Sequence, residues 1–369
     1  MNKLKVCHLS SVHPDNDVRI LHKQCVSLAE AGYETSLVLT NVEEREYKGV
    51  NIISVAAQTG SRIRRMTETV NKVLNKALEI NADIYHIHDP ELLRIALKLK
   101  KQNKKVIYDV HEDLPRQLMS KKYIHSGIKK ILSFLVERYE DKASSKLDCI
   151  ITSTPHIRDR FLDIQPMTID INNFPIIEEL VFDYDYDQKE EDYICYVGGL
   201  TTERGIKELV IALGLTKAKL LLAGNFTEHG LKDKLRCLDS WDKVHELGYV
   251  NRHEVRETYK RSKIGMVTLH PIKNYLDSLA VKMFEYMAAG IPVIASNFPL
   301  WKAIIEKNNA GLCVDPKSPE NISEAINYLL SNKEIAKEMG QNGKKLILEK
   351  YNWSIEKEKL LNIYNSLSN

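Results

Sequence analysis

Short apolar runs alternate with longer amphipathic segments along most of the chain. A first strand is predicted at residues 5–9, a helix at residues 19–31 that ends at Gly32, and a second strand at residues 35–40. Further strands are predicted at residues 52–55, 83–88, 106–110, 149–152 and 168–171. Strands that alternate with helices form a parallel sheet covered on both faces, so this half of the chain predicts one doubly wound α/β domain.

The alternation restarts after an acidic interruption at residues 181–193, which is typical of a solvated connection. Six more strands are predicted at residues 194–197, 220–223, 244–247, 264–268, 292–295 and 311–314, with helices between them. The carboxy-terminal segment has helical apolar spacing at Leu360, Leu361 and Tyr364. The sequence therefore predicts two Rossmann-like domains, residues 1–175 and residues 176–353, followed by a helix at residues 354–369.

Length, charge and cysteine usage narrow the class of protein. At 369 residues the chain is long for a single core, which agrees with two domains. A formal net charge of +3 is close to neutral, so bulk charge does not indicate a nucleic-acid partner. The six cysteines form no C-x-x-C pair and are expected as free core thiols in a reducing compartment. The start of the chain has a strand pattern rather than a signal peptide, and a cytoplasmic protein is expected.

Residues 121–142 carry a possible attachment surface. Apolar Ile128, Ile131, Leu132 and Leu135 stand among flanking lysines, a combination that suits an anionic membrane surface. No apolar run reaches the roughly 20 residues of a membrane span. We therefore expect either peripheral docking on the inner membrane surface or, as the alternative, a helix whose apolar residues face the protein core.

The strongest candidate for chemistry is the segment of residues 274–296, which has the pattern of a loop, a helix and a strand. Asp277 and Glu285 are eight positions apart, so in one helical register they lie about 80° apart around the axis and about 12 Å apart along it. Two carboxylates so placed can each hold a hydroxylated group. The structural alternative is an ordinary amphipathic helix in which Lys282 pairs with Glu285.

The start of the same helix predicts an anion site. The backbone N–H groups of Ser278, Leu279 and Ala280 are expected to be free, and such groups stabilise a bound diphosphate. Gly290 is expected to end the helix and Pro292 to open a short apolar strand.

This segment resembles the acidic-x7-Glu motif of the family 4 glycosyltransferases, which are retaining enzymes of the GT-B fold. The likeness continues through EYMAAGIPVIAS at residues 285–296. It implies that Glu285 holds the ribose of a nucleotide-sugar and that Asp277 lies near the donor sugar. Asp277 stands where the family usually has glutamate, and SNFPLW at residues 296–301 replaces a glycine-rich, glutamate-bearing turn. The resemblance also implies that the last helix returns to the first domain.

Residues 196–210, YVGGLTTERGIKELV, resemble the first strand and phosphate loop of the family's donor domain. Arg204 takes the position of the family's lysine, while Gly199 replaces its arginine. We expect Lys282 to supply the missing charge, because a lysine acts on phosphate as a point charge. The segment of residues 246–255 resembles the loop beside the nucleotide base, which implies that Tyr249 or Val250 packs there.

The first domain offers candidates at the ends of its strands, where doubly wound sheets place ligands. His13, Asp17 and Arg19 follow the first strand and are expected to address the acceptor; the alternative is that Asp17 caps the helix and Arg19 is solvated. His88 and Asp89 are expected to line a cleft on the same side.

The strand at residues 106–110 ends in His111 and Glu112. His111 resembles the family's strand-end histidine that faces the donor sugar, and Glu112 is placed on the acceptor side.

Two spacings also suggest metal sites. His86 and His88 share a strand face, as zinc ligands do, and the D-x-D spacings within residues 181–193 resemble those of metal-dependent glycosyltransferases of another fold. The D-x-D spacings stand between domains rather than at a strand end inside one. No metal or other cofactor is expected.

Together these patterns predict a metal-independent retaining glycosyltransferase of the hexosyltransferase type. The donor is expected to be a nucleotide diphosphate sugar, UDP-linked, and the acceptor a hydroxyl of a sugar or lipid-linked glycan in cell-surface polysaccharide synthesis. A nucleotide-sugar epimerase on the same architecture stays open. So does a non-catalytic nucleotide-sugar-binding subunit, which the missing arginine at Gly199 favours.

Overall fold

The computed structural model describes residues 3–57, 65–120, 125–182 and 191–368. These residues divide into two compact units. One unit contains the chain up to Asn173 and the residues from Ile355 onward, and the other spans Phe174–Ser354. The D-x-D spacings fall on residues 183–190, which lie outside the described residues.

The first unit is built on a sheet of eight strands in the order β3-β4-β2-β1-β5-β6-β7-β8. The strands are β1 (Lys5–Leu9), β2 (Glu34–Thr40), β3 (Arg45–Tyr47), β4 (Val50–Val55), β5 (Ile84–Ile87), β6 (Lys105–Val110), β7 (Cys149–Thr152) and β8 (Thr168–Asp170). All neighbours pair in parallel except β3, which pairs antiparallel with β4. Because β1, β5 and β6 are adjacent, their carboxyl ends bring the candidate histidines to one edge.

Helices connect these strands. An initial π-helix at Val18–Cys25 continues as an α-helix at Val26–Glu30, and a second π-helical turn at Arg65–Thr69 leads into Val70–Ile80. The others are a 3-10 turn at Pro90–Leu92 and α-helices at Leu93–Lys100, Leu114–Ser120, Ser126–Ser144 and Pro155–Leu162. The last helix of the chain, Trp353–Ser368, belongs to this unit from Ile355 onward. Residues on both faces of the sheet are fully buried, which explains the near-continuous apolar strands.

The second unit is built on a sheet of six parallel strands in the order β11-β10-β9-β12-β13-β14. The strands are β9 (Tyr193–Val197), β10 (Lys219–Ala223), β11 (Val244–Gly248), β12 (Ile264–Val267), β13 (Val293–Ser296) and β14 (Gly311–Val314). The strand order reverses between β9 and β12. Ligands of open α/β sheets bind at such a switch point, beyond the carboxyl ends of the strands.

The helices of the second unit flank this sheet. They are Ile177–Leu180, Ile206–Leu213, Leu231–Arg236, Arg252–Arg261, Lys273–Leu276, Val281–Ala288, Pro299–Ile305, Pro319–Ser331 and Lys333–Glu349, with 3-10 turns at Thr202–Arg204 and Asp239–Lys243. The predicted architecture of two doubly wound sheets is thus confirmed. The edge strand β3 was not predicted, because its three polar residues, two half-buried and one exposed, carry no apolar alternation.

All six cysteines are free, but they are not all core residues. Cys7, Cys25, Cys149 and Cys195 are buried, whereas Cys313 is partly buried and Cys237 is exposed. Over the described ranges, the helices are too short or too polar to cross a bilayer.

Candidate functional site

The loop after β9 contains two adjacent glycines, Gly198 and Gly199, so its backbone carries no side chains there. Gly198 has φ +139°, a conformation that favours glycine, and a Cβ there would lie 2.7 Å from Lys282 Nζ. A Cβ on Gly224, in the loop after β10, would lie 1.9 Å from the carbonyl oxygen of Gly198. The two loops therefore approach each other closely, and the backbone of Gly198 and Gly199 is left without side chains.

Two cations lie over this loop. Lys282 Nζ and Arg204 Nη1 come within 2.7 and 3.6 Å of the position that a Gly198 Cβ would take. Lys282 Nζ is also 3.7 Å from the centre of the Tyr196 ring, and it has no hydrogen-bond partner among the described residues. An unpaired buried ammonium is costly, and an anion bound beside it would offset that cost.

The pKa values of Lys282 and Arg204 are shifted in opposite directions. Burial, and then the charge of Arg204, hold the pKa of Lys282 well below its ordinary value, against a smaller opposing effect of Glu285. Burial would also lower the pKa of Arg204, but the phenols of Tyr196 and Tyr275 outweigh it and raise that pKa. An arriving phosphate would favour the charged form of Lys282.

Glu285 lies in the helix Val281–Ala288 and is fixed by two donors. Arg252 Nη1 donates to Oε1 at 2.7 Å, and the Tyr259 hydroxyl donates to Oε2 at 2.8 Å. The expected alternative, a Lys282–Glu285 pair within the helix, is not formed. The Glu285 side chain is 9% exposed.

Asp277 does not share a helix with Glu285, so the expectation of one helical register is wrong. It is exposed and ends the short helix Lys273–Leu276, while the helix of Glu285 begins only at Val281. Between the two helices runs a loop in which Ala280 is extended, with ψ 110°. The spacing of the two acids is therefore set by this loop.

The predicted anion-binding amides are only partly available. Ser278 N–H donates to the carbonyl of Tyr275 at 3.2 Å, contrary to the expectation that it is free. The N–H groups of Leu279 and Ala280 donate no hydrogen bond to any residue that the structure describes. These two amides precede the helix that carries Lys282.

Trp301 fixes the loop between the helices Lys273–Leu276 and Val281–Ala288. It is the last residue of SNFPLW, the segment that departs from the family pattern. Its indole Nε1–H donates to the carbonyl of Ser278 at 2.7 Å, and its side chain is fully buried against Phe298. Sequence reasoning did not identify this role; the signal available was a bulky indole where the family has a small, acidic turn. SNFPLW thus supports the loop of Asp277 rather than lining it with a carboxylate.

The loop after β11 contains the residues expected beside a nucleotide base. Tyr249 is 65% exposed and Val250 is half-buried. Asn251 follows and caps the helix Arg252–Arg261 through a reciprocal pair of bonds with Glu254. The cap fixes where the loop ends, which leaves the Tyr249 ring at the surface of the second unit.

In the first unit, Asp89 organises the loop after β1. Its Oδ2 accepts from Ser10 Oγ at 2.8 Å and from Ser11 N at 2.6 Å, and its Oδ1 lies 3.1 Å from His13 Nδ1. Burial would raise the pKa of Asp89, but His13 and the serine donors lower it to about 2. Burial would lower the pKa of His13, but Asp89 outweighs it and raises that pKa. Asp89 is thus buried beneath His13 rather than lining a cleft.

Asp17 and Arg19 have structural contacts. The Asp17 carboxylate accepts from Ile20 N at 2.8 Å and caps the helix, as the alternative predicted. Arg19 is 5% exposed and donates to both oxygens of Asp109, at 2.6 and 3.0 Å, so the expectation of a solvated arginine is wrong. Arg19 is unavailable to an acceptor in this arrangement.

The strand-end histidines form a continuous cluster. His88 Nδ1 lies 3.2 Å from His111 Nε2, and His88 Nε2 lies 2.9 Å from His8 Nδ1. His8 and His86 both contact the hydroxyl of Tyr364, at 3.2 and 2.8 Å. Burial, opposed by the hydrogen bond to Asp109, lowers the pKa of His88 to about 3.

Among His8, His86, His88 and His111, only the side chain of His111 is appreciably exposed, at 20%. The neighbouring Glu112 accepts from the amide of Gln117. His13, His88 and His111 are thus gathered at one edge of the first sheet, with ring centres of His13 and His111 4.9 Å apart. Gly199, Arg204, Lys282 and Glu285 belong to the second unit.

Both units match known protein families. Residues 18–171 match the model of glycosyltransferase family 4, and residues 184–346 match that of the glycosyl transferases group 1. An uncharacterized glycosyltransferase of Methanocaldococcus jannaschii is 25% identical to this chain, over 98% of each.

Solved structures share the fold. Sucrose-phosphate synthase from Thermosynechococcus elongatus aligns with a TM-score of 0.80 and 17% identity over 99% of both chains. Anabaena HepE, solved in complex with UDP-glucose, aligns with a TM-score of 0.74 and 13% identity over 98% of this chain and 100% of its own.

Proposed function

Since the chain belongs to the family 4 glycosyltransferases and has their GT-B fold, we propose that it transfers a hexosyl group, with retention, from a nucleotide diphosphate sugar to an acceptor hydroxyl. The second unit binds the donor at the carboxyl end of β9. The family resemblance assigns His111 to the transferred sugar.

The observation that carries this proposal is that two cations, Arg204 and Lys282, lie close to the loop of Gly198 and Gly199. Arg204 and Lys282 can neutralise a diphosphate that lies along Gly198 and Gly199, with the free amides of Leu279 and Ala280 nearby in sequence. Lys282 takes the place of the charge that the family has at position 199. Charge that develops on the leaving diphosphate would thus be stabilised without a metal ion.

Glu285 is proposed to accept from the ribose hydroxyls, and Tyr249 to contact the base. Arg252 and Tyr259 hold the Glu285 carboxylate in one orientation, so that little ordering is needed when the ribose arrives. A uridine donor is favoured because HepE, of the same fold, was solved with UDP and UDP-glucose.

The transfer is proposed to proceed on one face of the sugar. The bond between the anomeric carbon and the diphosphate oxygen breaks, the acceptor oxygen bonds to the same face, and the acceptor proton passes to a phosphate oxygen. Asp277, exposed on its loop, is assigned to the donor sugar. His13, Asp17, His88 and Glu112 were expected on the acceptor side. His88 is buried and Asp17 caps a helix, whereas Glu112 is exposed and the His13 side chain is 22% exposed, so Glu112 and His13 are proposed to meet the acceptor.

The acceptor is proposed to be a sugar or lipid-linked glycan of a cell-surface polysaccharide. A donor is identified first, by scanning nucleotide-sugars for thermal stabilisation, since a ligand at 100 times its Kd adds about 2.7 kcal/mol. Transfer to an added glycan acceptor then supports the proposal. Release of an epimerised nucleotide-sugar without acceptor would support the epimerase instead, and donor binding with neither transfer nor hydrolysis would support a binding subunit.

Metal independence is part of this proposal and has its own test. Activity in excess EDTA should equal that of the untreated enzyme, because Arg204 and Lys282 supply the charge. Loss of activity in EDTA with recovery on adding Mn²⁺ would contradict the assignment of these two cations.

The helix Ser126–Ser144 is proposed to dock on the cytoplasmic face of an anionic membrane. Ile128, Ile131, Phe134 and Leu135 are each 58–64% exposed, so they do not face the core of the described protein. Lys130 is exposed beside them and would meet the lipid charge. Of the four apolar residues in the core-facing alternative, only Leu132 is half-buried, so that alternative is wrong for Ile128, Ile131 and Leu135.

Vesicle binding tests the docking face. The parent should co-sediment with phosphatidylglycerol vesicles at low salt, while Ile131→Asn with Phe134→Asn should not. Leu348→Asn, at a leucine 46% exposed in the second unit, is the matched control and should bind like the parent. Equal co-sedimentation of all three proteins with the vesicles would contradict membrane docking through this helix.

A further inference from the structure

Three ligand atoms converge at the carboxyl edge of the first sheet. His88 follows β5, Asp109 lies in β6 and His111 follows β6, so adjacent parallel strands deliver all three. His88 Nδ1 is 3.2 Å from His111 Nε2 and 3.4 Å from Asp109 Oδ2, and His111 Nε2 is 3.3 Å from the same oxygen. The three atoms form a nearly equilateral triangle.

Hydrogen bonds alone do not account for this triangle. Each ring nitrogen carries at most one hydrogen and the carboxylate oxygen carries none, so at most two of the three edges can be hydrogen bonds. Asp109 Oδ2 already accepts from Arg19 Nε at 3.0 Å and from Gln24 Nε2 at 2.8 Å. A shared partner at the centre would account for all three contacts.

The edge lengths fit a tetrahedral metal ion. Zinc bonds to imidazole nitrogen and carboxylate oxygen are about 2.0–2.1 Å long, which places neighbouring ligand atoms of a tetrahedron about 3.3–3.4 Å apart. Octahedral coordination at about 2.0–2.1 Å, as around magnesium, places them about 2.9 Å apart. The observed edges of 3.2, 3.3 and 3.4 Å match the tetrahedron.

The surroundings orient the three ligands and leave one side open. His88 Nε2 contacts His8 Nδ1 at 2.9 Å, which leaves Nδ1 of His88 for a metal. Arg19 and Gln24 hold the Asp109 carboxylate, and the positive charge of Arg19 makes the site weaker than a structural zinc site. The His111 side chain is 20% exposed, so a fourth, solvent ligand can approach from that side.

We propose that His88, Asp109 and His111 bind a tetrahedral divalent metal ion such as Zn²⁺, and that this ion inhibits transfer by occupying the His111 imidazole. The binding site stands on the geometry of the first unit. The inhibition rests on the function proposed above for His111. Transfer itself remains metal-independent, because the metal-free protein is the active form.

Cobalt provides a direct test of binding. The full chain, stripped with EDTA and freed of chelator, is titrated with Co²⁺, whose visible spectrum distinguishes tetrahedral coordination. We expect one Co²⁺ per chain with a tetrahedral spectrum, displaced by Zn²⁺. His111→Ala, with His111→Asn as a second variant should the first not fold, should lose the signal.

His156→Ala is the control for adventitious surface binding, because His156 is an exposed histidine of the same unit. It should bind Co²⁺ like the parent. No tetrahedral signal in the parent, or an equal signal in a folded His111 variant, overturns the site.

Inhibition is tested with the donor found by the nucleotide-sugar scan. Zn²⁺ should reduce transfer at least tenfold, EDTA should restore it, and the affinity for the nucleoside diphosphate should not change. Zinc binding with unchanged transfer overturns the inhibitory role. If no donor supports transfer, the proposed function fails, but the cobalt titration still decides the metal site.

Discussion

Lys282→Met separates the binding role of Lys282 from any structural role. Methionine keeps much of the aliphatic volume beside Tyr196 and removes the ammonium that has no hydrogen-bond partner among the described residues. The loss of one charge-assisted contact to the diphosphate costs about 1.5–3 kcal/mol. The Kd for UDP should therefore rise about 10- to 150-fold.

The stability of the variant should change in the opposite direction. A buried unpaired polar group costs about 1–3 kcal/mol, and its removal offsets the lost cation–π contact with Tyr196. The free energy of unfolding of Lys282→Met should be equal to or above that of the parent. Lys207→Met removes an exposed charge from the neighbouring helix Ile206–Leu213 and should leave both the Kd and the stability unchanged.

Proton uptake provides a second readout of the same residue. The pKa of Lys282 is lowered in the free protein, and a bound diphosphate raises it, so binding takes up protons between the two pKa values. Calorimetry of UDP binding over a series of pH values, in buffers of different ionisation enthalpy, measures this uptake. Tight UDP binding by Lys282→Met, or equal proton uptake by parent and variant, would refute the reasoning.

Four further substitutions test the rest of the account. Glu285→Gln should weaken the binding of both UDP and the full donor by about 1.5–3 kcal/mol, and normal UDP binding by the folded variant would contradict the assignment of Glu285 to the ribose. Asp277→Asn should lower kcat more than it weakens the binding of UDP. Trp301→Phe loses the bond to the Ser278 carbonyl and should lower kcat with little change in UDP affinity, so unchanged kcat would separate Trp301 from the loop of Asp277. The lowered pKa of Asp89, about 2 against 3.8, contributes about 2 kcal/mol of stability above pH 4 that is lost as the pH falls toward 2. Urea unfolding of Asp89→Asn should lack that part of the pH dependence, and a parallel pH profile in parent and variant would contradict it.

Local pattern predicted most of the fold. The apolar strands are buried on both faces, so their short continuous runs stand out in the sequence, and β1, β7 and β14 have the predicted ends. The turn glycines Gly32 and Gly290 were also informative, since both have positive φ. Family resemblance identified the residues of the glycine loop and the two acids.

Contacts between distant positions were not predictable in the same way. The Arg252–Glu285 pair spans 33 positions and the Arg19–Asp109 pair spans 90, and neither leaves a local periodic signal. The helix of Glu285 begins after Asp277 because Trp301 and Tyr275 hold the loop between them, which a helical register cannot anticipate. The triangle around Asp109 likewise depends on which strands become neighbours.

The stereochemistry of transfer in EDTA tests the central claim most directly. With the donor found by the nucleotide-sugar scan and a glycan acceptor, proton NMR reports the anomeric configuration of the product as it forms. The account predicts a product with the configuration of the donor, formed at the same rate with and without EDTA. An inverted product, or transfer that stops in EDTA and resumes with Mn²⁺, would contradict it.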